Sequence, residues 1–269
     1  WECSRKCTRC RENVPNIADF TAFQESLRAI RSELQRTCYA EPLKQAFPKV
    51  LVGHYAVNPH DGWRYWYDYF EHEPVEGMAF KTDQRARYRQ WFQEFPLTGY
   101  TYANPVLYTW HRNYSWYDFP NPDYHWFRSL LLEATSVCRH TPREVPIIAF
   151  VHWHTTAPPR DAEPVPQFSE QKYQELLWHA LLRGVDTFAL WCLQPELAKE
   201  TRLVHQVYAA SLQYADFLDQ GEPVCFDVPE TQGPVVSGMR LGDRVLAMRS
   251  DFDAAAAPVE IRVGDAVLS

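Results

Sequence analysis

The hydrophobic pattern of the chain switches repeatedly between a helical and an extended period. Over residues 19–38, Phe20, Phe23, Leu27, Ile30 and Leu34 recur at spacings of three and four, which predicts a helix with one apolar face. Residues 145–154 differ. A short apolar run ends in His152, Trp153 and His154, as a parallel strand buried on both faces would. The helical period returns over residues 169–184, with Tyr173, Leu176, Leu177, Ala180 and Leu181 on one face. Ser169 is the expected N-cap, and Gly184 stands where a helix end favours positive φ. Phe188 to Trp191 is a second apolar run ending in an aromatic. Residues 145–192 therefore predict a βαβ unit whose polar and aromatic groups gather at the carboxyl ends of its strands. In a β/α barrel that face carries the active site.

The same pattern places further elements. Residues 49–55 and 102–108 read as strands, with a long aromatic loop and helix region between them to about Phe95. Residues 124–139 read as a helix with Leu130, Leu131, Ala134 and Val137 inward. Pro195 opens a long helix through Leu203, Val207, Leu212 and Phe217, proline being favoured in a first turn. After Gly221 short strands follow at residues 223–228, 233–241, 243–250 and 258–263, with turn signals between them, and 254–257 reads as a loop. The expected fold class is α/β: a partial (β/α) TIM-type barrel over residues 1–220, then a small antiparallel, β-sandwich-like appendage over 221–269. Strands near residues 50, 104, 149 and 189 are about half of what a closed barrel needs. The first strands are expected upstream of Trp1, so that alone the fragment would expose parallel edges and dimerise or dissolve poorly.

Composition narrows the function. The formal net charge of -7 argues against nucleic acid or an anionic membrane as partner. No apolar run is long enough to span a bilayer. Nothing assigns the compartment, an extracellular or periplasmic one being slightly favoured. Aromatics make up 15% of the chain, and many stand among charged and polar residues, as at 63–70 and 110–118. Rings in such company suit a carbohydrate groove, where they stack on sugar C–H faces while polar neighbours take the hydroxyls.

Five short motifs then occur in a telling order. Trp1-Glu2 is followed by Arg5, three residues after the Glu. Gly53-His54-Tyr55 ends a strand, Pro105-Val-Leu-Tyr108 ends the next, and Pro146 leads a strand that reaches Phe150. Gly184 precedes a strand ending in Trp191. In order and separation, this set resembles the β/α-barrel glycoside hydrolases, and in particular the hyaluronidase-like family. Phe150 stands where that family has Tyr, and Lys6 where it has Pro. The resemblance implies that Glu2 is the general acid and that Tyr108 holds the reacting sugar. It also implies that Tyr55 and Trp191 line the substrate groove. In such enzymes the substrate's acetamido oxygen serves as nucleophile, so one protein carboxylic acid suffices, its pKa raised by apolar walls or a neighbouring carboxylate. His152 and His154 alternate with Trp153 and so share one side of their strand, as a polar lining for substrate. No cofactor and no metal are expected. The expected partners are a carbohydrate and either the missing N-terminal part of the barrel or a second copy of the chain.

Two other readings compete. Cys3-x-x-x-Cys7-x-x-Cys10 has the spacing of the iron–sulfur motif of radical S-adenosylmethionine enzymes, although Arg9 replaces the usual aromatic and only 10 glycines are present. The same cysteines also suit a disulfide or a zinc site. The third reading is a catalytically inactive barrel that keeps the carbohydrate groove.

Overall fold

The computed structural model describes residues 2–53, 55–56, 95–108, 122–153, 167–192, 194–229, 232–252, 258–263 and 266–268. The chain divides into two compact units, Trp1–Asn104 with Arg139–Pro146, and Pro105–Cys138 with Ile147–Ser269. They do not part at Gly221.

The first unit is mainly helical: α1 (Glu2–Lys6), α2 (Thr8–Asn13), α3 (Phe20–Gln35) and α4 (Glu41–Ala46), followed by the two-residue strand β1 (Tyr55–Ala56). The α3 start is legible locally. Asn16 takes a left-handed turn at φ 54°, tolerated by a short amide side chain. Asp19 then caps the helix by accepting from the Ala22 N–H at 3.0 Å. The expected apolar face is only partly used. Phe23 is buried, whereas Ile30 and Leu34 are 40% and 55% exposed. The strand expected at 49–55 shrinks to β1. The Thr101 hydroxyl and amide take up the Val52 N–H and C=O at 2.7 Å each, and the Val50 N–H bonds Phe47 at 2.9 Å. With Val52 held by Thr101 in this way, both of its backbone groups are already used outside a ladder.

The second unit holds the βαβ pattern. Strands β2 (Asn104–Tyr108), β3 (Ile148–His152) and β4 (Thr187–Leu190) pair in parallel, with Tyr108 opposite His152 and Val151 opposite Leu190. Helix α5 (Pro122–His140) joins the first two and α6 (Glu170–Arg183) the last two. Leu130, Leu131, Ala134 and Val137 of α5 and Tyr173, Leu176, Leu177 and Ala180 of α6 are all fully buried, as their spacing predicts. Ser169 caps α6 by accepting from the Lys172 N–H, and Gly184 ends it at φ 113°. Parallel strands joined through helices place this unit in the α/β class.

Sequence downstream completes the unit. Helices α7 (Leu197–Ser211) and α8 (Ala215–Gln220) are separated by a 3-10 turn, so the long helix expected from Pro195 is broken. Strands β5 (Glu222–Pro223), β6 (Val235–Leu241) and β7 (Arg244–Ser250) form an antiparallel sheet, and β8 (Ile261–Val263) pairs with β9 (Ala266–Leu268) as a separate hairpin. The β5–β7 sheet lies on α6 rather than facing a second sheet, and the two are fastened by a largely buried polar network. Glu175 accepts from the Ser250 hydroxyl at 2.6 Å. Having donated there, Ser250 accepts from His179 Nε2–H at 3.0 Å. His179 Nδ1 then accepts from the Ser237 hydroxyl at 2.7 Å, and Ser237 accepts from Arg183 Nε–H at 2.7 Å. Each proton in the chain of bonds has one consistent place, and His179 is neutral.

Burial, helped by the Arg183 and Lys172 charges, holds His179 well below the ordinary histidine value of 6.5. Between those two values the unfolded chain binds a proton that the folded chain does not, so stability is lost as pH falls. The expected loss is about 1.4 kcal/mol per pH unit below 6.5 until the folded value is reached. Urea unfolding at pH 7.5 and 5.5 checks this. The wild type should lose more stability between the two than His179→Gln, and equal losses would exclude a buried neutral imidazole.

Candidate functional site

The carboxyl edge of the parallel sheet gathers the chemistry in the second unit. The strand register carries Tyr108, His152 and Trp191 to one row across that edge. Tyr108 ends β2 and His152 ends β3, while Trp191 follows β4 and donates its N–H to the Val151 carbonyl at 2.9 Å. His152 is buried. Its Nδ1 lies 2.8 Å from Glu200 Oε1 and 2.9 Å from Oε2, a donation shared by both oxygens of a carboxylate that is itself 0% exposed. The neighbouring Trp153 N–H donates to Glu200 Oε2 at 3.2 Å. A carboxylate only accepts, so the proton sits on Nδ1 of the imidazole, and the ring is held in one orientation.

Aromatic groups frame this pair. Trp191 stands perpendicular to the His152 ring with centroids 5.0 Å apart, and 40% of its surface is exposed. Trp153 is buried, with its indole N–H donating to the Phe168 carbonyl at 2.6 Å. The Lys199 ammonium sits 4.2 Å above the Trp153 ring and 2.7 Å from Glu170. The edge therefore offers a 40% exposed indole set over a buried, oriented imidazole. The exposed part of that ring can stack on an apolar face of a ligand.

The structure brings some of the residues expected to act to one sheet edge and places others in the first unit. Tyr108, His152 and Trp191 share the sheet edge. Tyr55 lies in β1 of the first unit. Glu2 was expected at the end of a strand and instead opens α1, also in the first unit. The segment Glu2–Lys6 has no β-branched residue, which suits a helix. His154 lies outside the described residues, as does the whole aromatic stretch at 57–94. Among the cysteines of the rival reading, Cys3 falls in α1 and Cys7 and Cys10 lie one turn apart at α2. Among the described residues, no group of three or more His, Cys, Asp or Glu is arranged to hold a metal. Nor is any helix among them long and apolar enough to cross a membrane.

Glu200 is the residue that reading the sequence missed. The signal was there. Leu203 and Val207 mark the inward face of α7, and Glu200 precedes them at helical spacing, so a carboxylate on that stripe had to be buried and bonded. Glu133 is a second case. It lies within the apolar stripe of α5, is 0% exposed, and accepts from the Val106 N–H in β2 at 3.0 Å.

A scan against protein-family models, a search of curated proteins and a search of solved structures each found no match.

Proposed function

We propose that this protein acts on carbohydrate chains, as a glycoside hydrolase-like protein whose second unit is part of a β/α barrel. The observation that carries the reading is Trp191: a half-open indole at the carboxyl edge of a parallel sheet, packed edge-on against an imidazole that buried Glu200 holds in place. A large apolar ring left open beside oriented polar groups is what a sugar needs, one face being C–H and the rim hydroxyl. The order of the motifs from Glu2 to Trp191, with their resemblance to the hyaluronidase-like family, supports the same reading. The function is cleavage or binding of a polysaccharide or oligosaccharide in an aromatic-lined groove; the motif resemblance alone, not the position of α1, assigns the proton donor to Glu2.

Covering one large apolar side chain contributes about 1.5–3 kcal/mol. Trp191→Ala should therefore weaken oligosaccharide binding about ten- to a hundredfold, measured by calorimetry over a glycan panel, with no change in the folded structure. Unchanged affinity for a glycan that the wild type binds would remove Trp191 from the site. Cleavage is read separately. Glu2→Gln keeps the shape and removes the proton, so turnover should fall by about a hundredfold or more with binding retained. Full turnover in that variant would take Glu2 out of catalysis, and binding without turnover in the wild type would mark an inactive carbohydrate-binding form.

A further inference from the structure

The cysteine cluster near the start of the chain is not used by the carbohydrate reading. Cys7 and Cys10 stand at C-x-x-C spacing, Cys7 exposed and Cys10 half-buried. The Arg11 N–H bonds the Cys7 carbonyl at 3.1 Å and the Val14 N–H bonds the Cys10 carbonyl at 2.9 Å, so the chain between the two cysteines makes one helical turn. Residues three apart on such a turn are side-chain neighbours, with Cβ atoms about 5–6 Å apart, so a small shift brings two sulfurs to bonding distance. The surroundings are basic, with Arg5, Lys6, Arg9 and Arg11 in seven residues.

We infer that Cys7 and Cys10 form a redox-active dithiol on the surface of the first unit, which exchanges with small-molecule disulfides of the glutathione type. Cys7 is the attacking sulfur and Cys10 the resolving one. The Cys7 thiolate attacks one sulfur of the disulfide, forming a mixed disulfide and releasing one thiolate. Cys10 then gives its proton to solvent and attacks the Cys7 sulfur, closing the Cys7–Cys10 bond and releasing the second thiolate. The protein loses two electrons and two protons, and the small disulfide is reduced to two thiols. The pair is asymmetric: the neighbouring Cys10 holds the Cys7 thiol below its ordinary value of 9.0, and Cys7 in turn pushes Cys10 above it. An exposed thiol of lowered pKa among cations is the reactive member of a pair.

The test is peptide mapping of the full chain after equilibration with glutathione disulfide, then trapping of free thiols with iodoacetamide. The expected product is a Cys7–Cys10 bridge, two hydrogens lighter and protected from alkylation at both positions, fully reversed by reduced glutathione. With Cys10→Ser the reaction should stop at glutathione on Cys7. With Cys3→Ser the bridge should still form. At pH 7 and limiting reagent, Cys7 should alkylate several-fold faster than Cys38, the other exposed thiol among the described residues. The inference fails if Cys7 and Cys10 both remain alkylatable while Cys38 takes up glutathione. It also fails if Cys3→Ser abolishes the bridge, or if Cys7 reacts no faster than Cys38. None of these readouts depends on a carbohydrate.

Discussion

Replacing Glu200 with alanine should cost the fold about 2–6 kcal/mol, the range for leaving two buried donors unmet. The side chain is 0% exposed and accepts from the His152 ring and from the Trp153 N–H. Alanine leaves both donors in a dry interior, where an unmet polar group is penalised in full. The loss should read as a lower urea midpoint with an unchanged slope. Glu200→Gln separates stability from orientation. Its amide oxygen can still accept from Trp153, while its NH2 must face Nδ1 and donate. The imidazole then has to carry its proton on Nε2 instead. Nitrogen NMR of His152 should show Nδ1–H in the wild type and Nε2–H in the glutamine variant, at a smaller stability loss than alanine. A Glu200→Ala protein as stable as the wild type, or one tautomer in both proteins, would refute this account of the site.

Arg183→Met should be comparably severe, by about 3–5 kcal/mol. For a unit of this size that corresponds to a fall in Tm of about 10 °C. The guanidinium is 0% exposed and donates five hydrogen bonds: to the hydroxyls of Ser237 and Thr135, and to the carbonyls of Phe226, Asp227 and Val236. Methionine keeps the apolar stem and strands all five acceptors. Arg183→Lys should rescue little, because one ammonium has three donors and cannot span the fork. Hydrogen exchange gives a local readout. The segment around Phe226 and Asp227 is held by Arg183 rather than by a strand ladder, so its amides should exchange much faster in the variant. Unchanged protection there would show that other contacts hold it.

That network explains a place where the sequence misled. Residues 223–228 alternate like a strand, yet only Glu222–Pro223 pairs as one. The Phe226 and Asp227 carbonyls beyond it go to Arg183, a residue 43 and 44 positions earlier that looked like an ordinary helix terminus. Similarly, His179 and Arg183 stand four apart on a flank of α6 outside its predicted apolar stripe, where sequence alone expects solvent. The β5–β7 sheet covers that face instead. A solvated polar face and a buried, fully bonded one have the same residue spacing, because the partner that distinguishes them is remote in the chain.

Short-range physics accounts for what was legible. The Ser169 cap, the αL turn at Gly184, the inward stripes of α5 and α6 and the apolar run of β3 each follow from residues within a few positions of one another. They alone determined that a βαβ unit forms and that Tyr108, His152 and Trp191 come at strand ends. The tertiary structure decided what those ends contain. Glu200 reaches His152 across 48 positions, and Ser237 and Ser250 reach His179 across 58 and 71. The structure also decided that Glu2 begins a helix in the first unit and that the compact units do not part at Gly221. Caps and periodicity are local energies that any short segment can express. A buried polar group has to be matched by a donor or acceptor delivered by the whole fold, and the sequence around it does not name which one arrives.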